Sequence, residues 1–149
     1  MIDEVDRDKN AVILLVEDDR VDIMTVQRAL KKIDVSNPLH VARTGVEALG
    51  MLRGDGFARI EPTPSLILLD LNLPKKDGRE VLARIKGDRD LRRIPVIVFT
   101  SSQNPDDVLN IYDLAANCFI AKPMDLEQFS RVVTAIEDFW MHVVELPKE

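Results

Sequence analysis

Five short apolar runs punctuate the chain, and between them the apolar positions change from consecutive to helical spacing. Val12-Ile13-Leu14-Leu15-Val16 is the first run, and it leads straight into Glu17-Asp18-Asp19. Pro38-Leu39-His40-Val41-Ala42 gives a second, shorter strand, and Ser65-Leu66-Ile67-Leu68-Leu69 a third that delivers Asp70 to an exposed loop. Pro95-Val96-Ile97-Val98-Phe99 is a fourth, ending at Thr100-Ser101-Ser102, and Cys118-Phe119-Ile120-Ala121 a fifth, ending at Lys122-Pro123. Runs with no polar alternate read as strands covered on both faces, the pattern of parallel sheets.

The intervening segments predict helices. From about Arg20 to Ile33, the residues Val21, Met24, Ala29, Leu30 and Ile33 fall near helical spacing. Thr44 and Glu47 form a capping-box pair that opens a helix through about Arg53. Gly54-Asp55-Gly56 and Pro62-Thr63-Pro64 bound an exposed loop. Asp77 and Glu80 flank Gly78 at the start of a third helix ending near Gly87, and a charged connector runs from Asp88 to Arg93. Asn104 caps and Pro105 opens a fourth helix, and Asp125 caps a last one reaching about Val144. This alternation predicts one α/β domain, a parallel sheet wrapped by helices.

Composition narrows the class. A length of 149 residues suits one domain with a proper core. The net charge of −6 argues against a nucleic-acid surface, since no basic patch emerges to neutralise phosphates. The single Cys118 excludes an internal disulfide and a cysteine metal cluster. No apolar stretch approaches about 18 residues, so no membrane span is expected. The polar, charged segment from Met1 to Asn10 is the opposite of a signal peptide. A cytoplasmic protein is the expectation. His40 and His142 lie away from the acidic strand ends and are read as structural.

In a parallel sheet, ligands collect outside the carboxyl ends of the strands. Here those ends would bring together Glu17, Asp18, Asp70, Thr100 and Lys122. Packed carboxylates repel one another, and a hard divalent cation with oxygen ligands relieves that. Mg²⁺ suits the site: it accepts one or two carboxylates, keeps waters and leaves room for a phosphate oxygen. The backbone carbonyl of Asn72 could complete the protein ligands. Asp18 is the direct ligand and Glu17 works through a water. Lys122 and Thr100 would help neutralise the oxygens of a phosphoryl group in transfer. Asp70 is then the nucleophile, forming an aspartyl phosphate.

Glu17-Asp18, Asp70 with Pro74 and Gly78, Thr100 and Lys122-Pro123, in that order over nearly the whole chain, resemble the receiver domain of two-component response regulators. The resemblance implies a doubly wound, five-stranded, flavodoxin-like sheet with an extended C-terminal helix. It also implies phosphorylation of Asp70 by a sensor histidine kinase, and a cis Lys122-Pro123 peptide that aims Lys122 at the site. Phe119 occupies the family's aromatic switch position, where lack of a hydroxyl limits switching to steric burial after Thr100 is drawn to phosphate. Ser101 and Ser102 support the site, and Asn72 and Ser102 flank the phosphate. More narrowly, the stretch from Tyr112 to Pro123 and the tail Glu137-Asp138-Phe139-Trp140 are similar to small stand-alone receivers serving cyanobacterial bacteriophytochrome kinases. A general stand-alone receiver or phosphorelay intermediate is the alternative.

The last helix carries Leu126, Phe129, Val133, Ile136 and Trp140 as one apolar stripe, widened by Val132, Phe139, Val143 and Leu146. That surplus predicts a homodimer through the fourth helix, fifth strand and last helix. The expected organisation is a single receiver over 1–149, with a polar arm at 1–10 and a core from about 11 to 145. No output domain is expected, so output would pass to an unidentified downstream protein. Its chemistry would be autocatalytic phosphorylation and dephosphorylation only. An Asp-nucleophile phosphatase is the enzyme alternative, but it needs a second Asp where Asn72 stands. A nucleotide-binding loop after the first strand would be repelled by Glu17-Asp18-Asp19.

Overall fold

The computed structural model describes residues 12–32, 38–61, 63–71, 73, 77–100, 118–121, 127 and 131; for Lys32, Thr100 and residues 118–121 it describes the backbone. Its elements are β1 (Ile13–Val16), α1 (Arg20–Lys32), β2 (Leu39–Ala42), α2 (Gly45–Arg53), β3 (Leu66–Asp70), α3 (Gly78–Gly87), β4 (Val96–Thr100) and β5 (Cys118–Ala121). All five strands pair in parallel, in the order β2-β1-β3-β4-β5. This is the flavodoxin-like order, in which successive crossovers leave β1 in opposite directions. Right-handed crossovers then place α1 on one face of the sheet and α2 and α3 on the other. Packing of α2 against α3 agrees with that.

Side chains alternate across a strand, and the apolar runs therefore feed two layers of core. Leu14, Val16, Ile67, Leu69, Val96 and Val98 pack with Ala48, Leu49 and Leu52 of α2 and Val81, Leu82 and Ile85 of α3. The alternate residues Ile13, Leu15, Leu68, Ile97 and Phe99 are equally buried, facing the other way. Each fully buried aliphatic side chain contributes about 1.5–3 kcal/mol relative to exposure, so central strands without polar positions are the main source of stability here.

The structure corrects the stripe read for the first helix. In α1 the buried apolar residues are Ile23, Val26, Ala29 and Leu30, whereas Val21 is 70% exposed and Met24 40%. Both sets fit a 3.6-residue period, and packing on the sheet selects between them. Helix ends follow the sequence closely. Thr44 Oγ1 accepts from the Glu47 N–H at 3.0 Å, and α2 stops at Gly54, whose φ of 73° is the left-handed conformation that glycine tolerates. Asp77 Oδ1 accepts from the Arg79 N–H at 2.7 Å and caps α3.

Two loop readings also change. Pro64, expected in an exposed loop, is buried. The charged connector after α3 is anchored as well as solvated. Leu91 and Ile94 are buried, Asp88 pairs with Arg53 at 3.1 Å, and Lys86 Nζ donates to the carbonyls of Arg92 at 3.2 Å and Ile94 at 2.8 Å. Among the described residues, no helix is long and apolar enough to cross a membrane. Glu127 and Arg131, in a later helix, form an exposed ion pair at 3.4 Å. The polar arm, the fourth helix, the apolar stripe of the last helix and the Lys122-Pro123 peptide lie outside the described residues.

Candidate metal centre

Strand register brings the acids together. β1 and β3 run side by side with Val16 level with Leu69, so the next residues along, Glu17 and Asp70, emerge together at the carboxyl edge. Glu17 is tied there by its backbone N–H, which donates to the Ala42 carbonyl at 2.9 Å. Its side chain is 1% exposed, and Glu17 Oε2 accepts the backbone N–H of Asp19 at 3.2 Å. Asp18, which follows it, is exposed.

Asp70 is the last residue of β3, paired with Phe99 of β4. It is 4% exposed, so the carboxylate is not offered on an exposed loop, as the sequence suggested. The cause is the chain that follows. Leu71 is fully buried, and its N–H extends the ladder to the Phe99 carbonyl at 2.9 Å. The Gly78 N–H then closes the loop onto the Leu71 carbonyl at 3.0 Å. A Cβ at Gly78 would lie 2.4 Å from the Asp70 carbonyl oxygen and 2.6 Å from Leu71 Cα. Only a residue without a side chain lets the start of α3 settle directly on the end of β3. The sequence marked Gly78 as part of a motif, and the contact supplies its reason.

Glu17, Asp18 and Asp70 each place a carboxylate oxygen within 4.8 Å of the other two. Two of these groups are buried and one is open to solvent. An all-oxygen donor set of this kind, with one accessible side, fits a hard divalent cation that keeps part of its water shell. Without a cation, three like charges at this spacing are held together against their repulsion. The chemistry of the donor set therefore fits a hard divalent cation.

Thr100 ends β4 one residue past the pair Asp70–Phe99, and it is level with Ala121, the last residue of β5. The backbone thus carries β4 and β5 to the same edge as the acids. The Thr100 and Phe119 side chains, and all of Asn72, Ser101, Ser102, Lys122 and Pro123, lie outside what the structure describes. Asp19 is a residue whose part the sequence understated. By its place ahead of the first helix it is a surface or capping residue, and its Oδ1 does accept from Val21 N–H at 2.8 Å and Asp22 N–H at 3.3 Å. Its own N–H, however, faces the acidic cluster.

Comparison with known proteins agrees with this geometry. Residues 13–134 match the response regulator receiver domain. The chain is 49% identical over 136 residues to the response regulator Rcp1 of Synechocystis, covering 91% of this chain and 92% of that protein. It superposes with a TM-score of 0.84 on the phosphorylated cyanobacterial phytochrome response regulator RcpA, at 47% identity over 93% of this chain and 99% of that one. The Mn²⁺-bound form of Rcp1 gives a TM-score of 0.79 at 47% identity, with the same coverage. With sheet order, acidic cluster and family match in accord, the chain belongs to the response regulator receiver family.

Proposed function

We propose that this receiver accepts a phosphoryl group on Asp70 from the phosphohistidine of a phytochrome-type sensor kinase. The observation that carries this reading is the convergence of the Glu17, Asp18 and Asp70 carboxylates within 4.8 Å at the carboxyl edge of the sheet. Glu17, Asp18 and Asp70, with the backbone carbonyl of Asn72, would hold Mg²⁺. When bound, the ion supplies positive charge between the acceptor carboxylate and the phosphoryl oxygens. Similarity to Rcp1 and RcpA supports a kinase of the phytochrome class.

In this mechanism a carboxylate oxygen of Asp70 attacks phosphorus, the bond from phosphorus to the histidine nitrogen breaks, and the imidazole departs with that electron pair. Burial of Asp70 excludes most water from its carboxylate. Lys122 pairs with a phosphoryl oxygen and the Thr100 hydroxyl donates to another. Those contacts exist only in the phosphorylated state, so they shift the population of conformations at the face carrying Phe119, with Pro123 holding Lys122 in place and Ser101 and Ser102 lining the site. The chemistry is confined to the protein's own aspartate, and the role is signalling in the cytoplasm.

The test is incubation with acetyl phosphate and Mg²⁺ followed by intact-mass measurement. Wild type gains one phosphate adduct, and Asp70→Asn gains none. Equal adducts on both proteins would exclude Asp70 as the acceptor. Chelation of the metal with excess EDTA suppresses the wild-type adduct.

The readout proposed is a homodimer through the fourth helix, fifth strand and last helix, presented to a downstream protein. The surplus apolar positions of the last helix support it. Sedimentation with and without beryllofluoride checks it: a dimer at micromolar concentration is expected in at least the activated form, and a monomer in both would sink the idea.

A further inference from the structure

The geometry points to Asp19 as a positioning residue of the metal centre, acting through the cap of α1; the inference rests on the metal reading above. Three polar groups of Asp19 are committed at once. Its N–H donates to Glu17 Oε2 at 3.2 Å. Its Oδ1 accepts from the N–H groups of Val21 and Asp22 at 2.8 and 3.3 Å. Its carbonyl accepts the Ile23 N–H at 2.9 Å and begins the α1 ladder. The backbone of Asp19 therefore faces the acidic cluster while its side chain holds the helix.

A glutamate side chain has three rotatable bonds, and its carboxylate turns freely unless a donor fixes it. At Glu17 a fixed donor is the Asp19 N–H, and that amide is held in direction by the side-chain cap two and three residues ahead. Loss of the cap frees the first turn of α1, and the donor on Glu17 moves with it. Loss of a group that orients a metal-holding side chain from behind typically costs about 10- to 100-fold in metal affinity. The coupling runs both ways: a cation that settles Glu17 also tightens the start of α1.

Direct Mn²⁺ titration, read as loss of the free-ion paramagnetic resonance signal, tests this without any phosphoryl transfer. Asp19→Ala removes the cap and is expected to weaken Mn²⁺ binding about ten-fold. Asp19→Asn keeps an equally good cap and loses only a screened, exposed charge, so it stays within about three-fold of wild type. Lys86→Met, which releases a clamp at the opposite edge of the sheet, serves as the stability control and leaves affinity unchanged. Amide exchange gives the second readout: Mg²⁺ slows exchange at Val21 and Asp22 in wild type and Asp19→Asn, but not in Asp19→Ala. An Ala variant that binds Mn²⁺ like wild type overturns the inference. Equal losses in Ala and Asn also overturn it, because charge and not capping would then be responsible. A wild type that binds neither ion overturns the metal reading itself.

Discussion

The loops after β1 and β3 face the same acidic cluster but are built by opposite means. The first is held by side chains: Glu17 accepts from Asp19, and Asp19 accepts from the first turn of α1. The second is held by backbone and by the absence of a side chain, with Gly78 lying against Asp70 and Leu71. A hydrogen-bonded loop yields by degrees when a donor or acceptor is changed. A loop closed by direct backbone contact has no such intermediate, since inserted atoms must displace one of its two walls. The loop carrying Glu17 and Asp18 is therefore adjustable, and Asp70 is rigidly seated.

The sharpest way to break this contrast is Gly78→Ala. The new methyl group meets the Asp70 carbonyl oxygen at 2.4 Å, and overpacking of this kind costs about 3 kcal/mol in denaturant or thermal unfolding. Mn²⁺ affinity falls with it, because the strand end carrying Asp70 shifts. An Ala variant that melts within about a degree of wild type would show that the second loop is as compliant as the first.

Asp77→Ala gives the next largest effect and sharpens the comparison. Asp77 caps α3 much as Asp19 caps α1, so either alanine costs about 1 kcal/mol of stability. Unlike Asp19, Asp77 makes its cap bond to Arg79 in a turn closed independently by Gly78 and Leu71. Equal melting losses with unequal losses of Mn²⁺ affinity, Asp19→Ala being the weaker binder, are expected. Matching affinities would erase the distinction between the two loops.

The smallest effect lies at the far edge, where Lys86 binds two carbonyls of the α3–β4 connector. Burial pushes its ammonium below the ordinary value of 10.5. The folded state thus releases that proton more readily than the unfolded chain. Between the lowered value and 10.5, the unfolded chain binds more protons and stability rises with pH. As pH rises toward 10.5, wild type gains stability relative to Lys86→Met, by less than about 1 kcal/mol given its partial exposure. A difference that stays constant or runs the other way would contradict the assignment.

Much of the fold was legible because the central strands are wholly apolar and their ends are marked by charge. The run at Val12–Val16 followed by Glu17, and the run before Asp70, fix strand, edge and acid together. The Thr44 cap was legible because capping depends on residues three or fewer positions apart, whereas Asp77 read only as an acid flanking Gly78 at the start of the third helix. The buried face of α1 was not, since Val21-Met24 and Ile23-Val26 satisfy the same period and only the sheet distinguishes them. Asp70 was mistaken for an exposed acid because its cover, Gly78, lies eight residues further on. The second role of Asp19 depends on the direction of a backbone amide, which side-chain identity does not encode.

The opposed crossovers at β1 and β3 have a consequence for how this protein could be remade. They open a gap between neighbouring helices wherever the strand order β2-β1-β3-β4-β5 forms. The gap is a property of the winding, and the three carboxylates are furnishings within it. Scaffold and reactivity are therefore separable, so different chemistry could be installed at positions 17, 18 and 70 without redrawing the sheet beneath them.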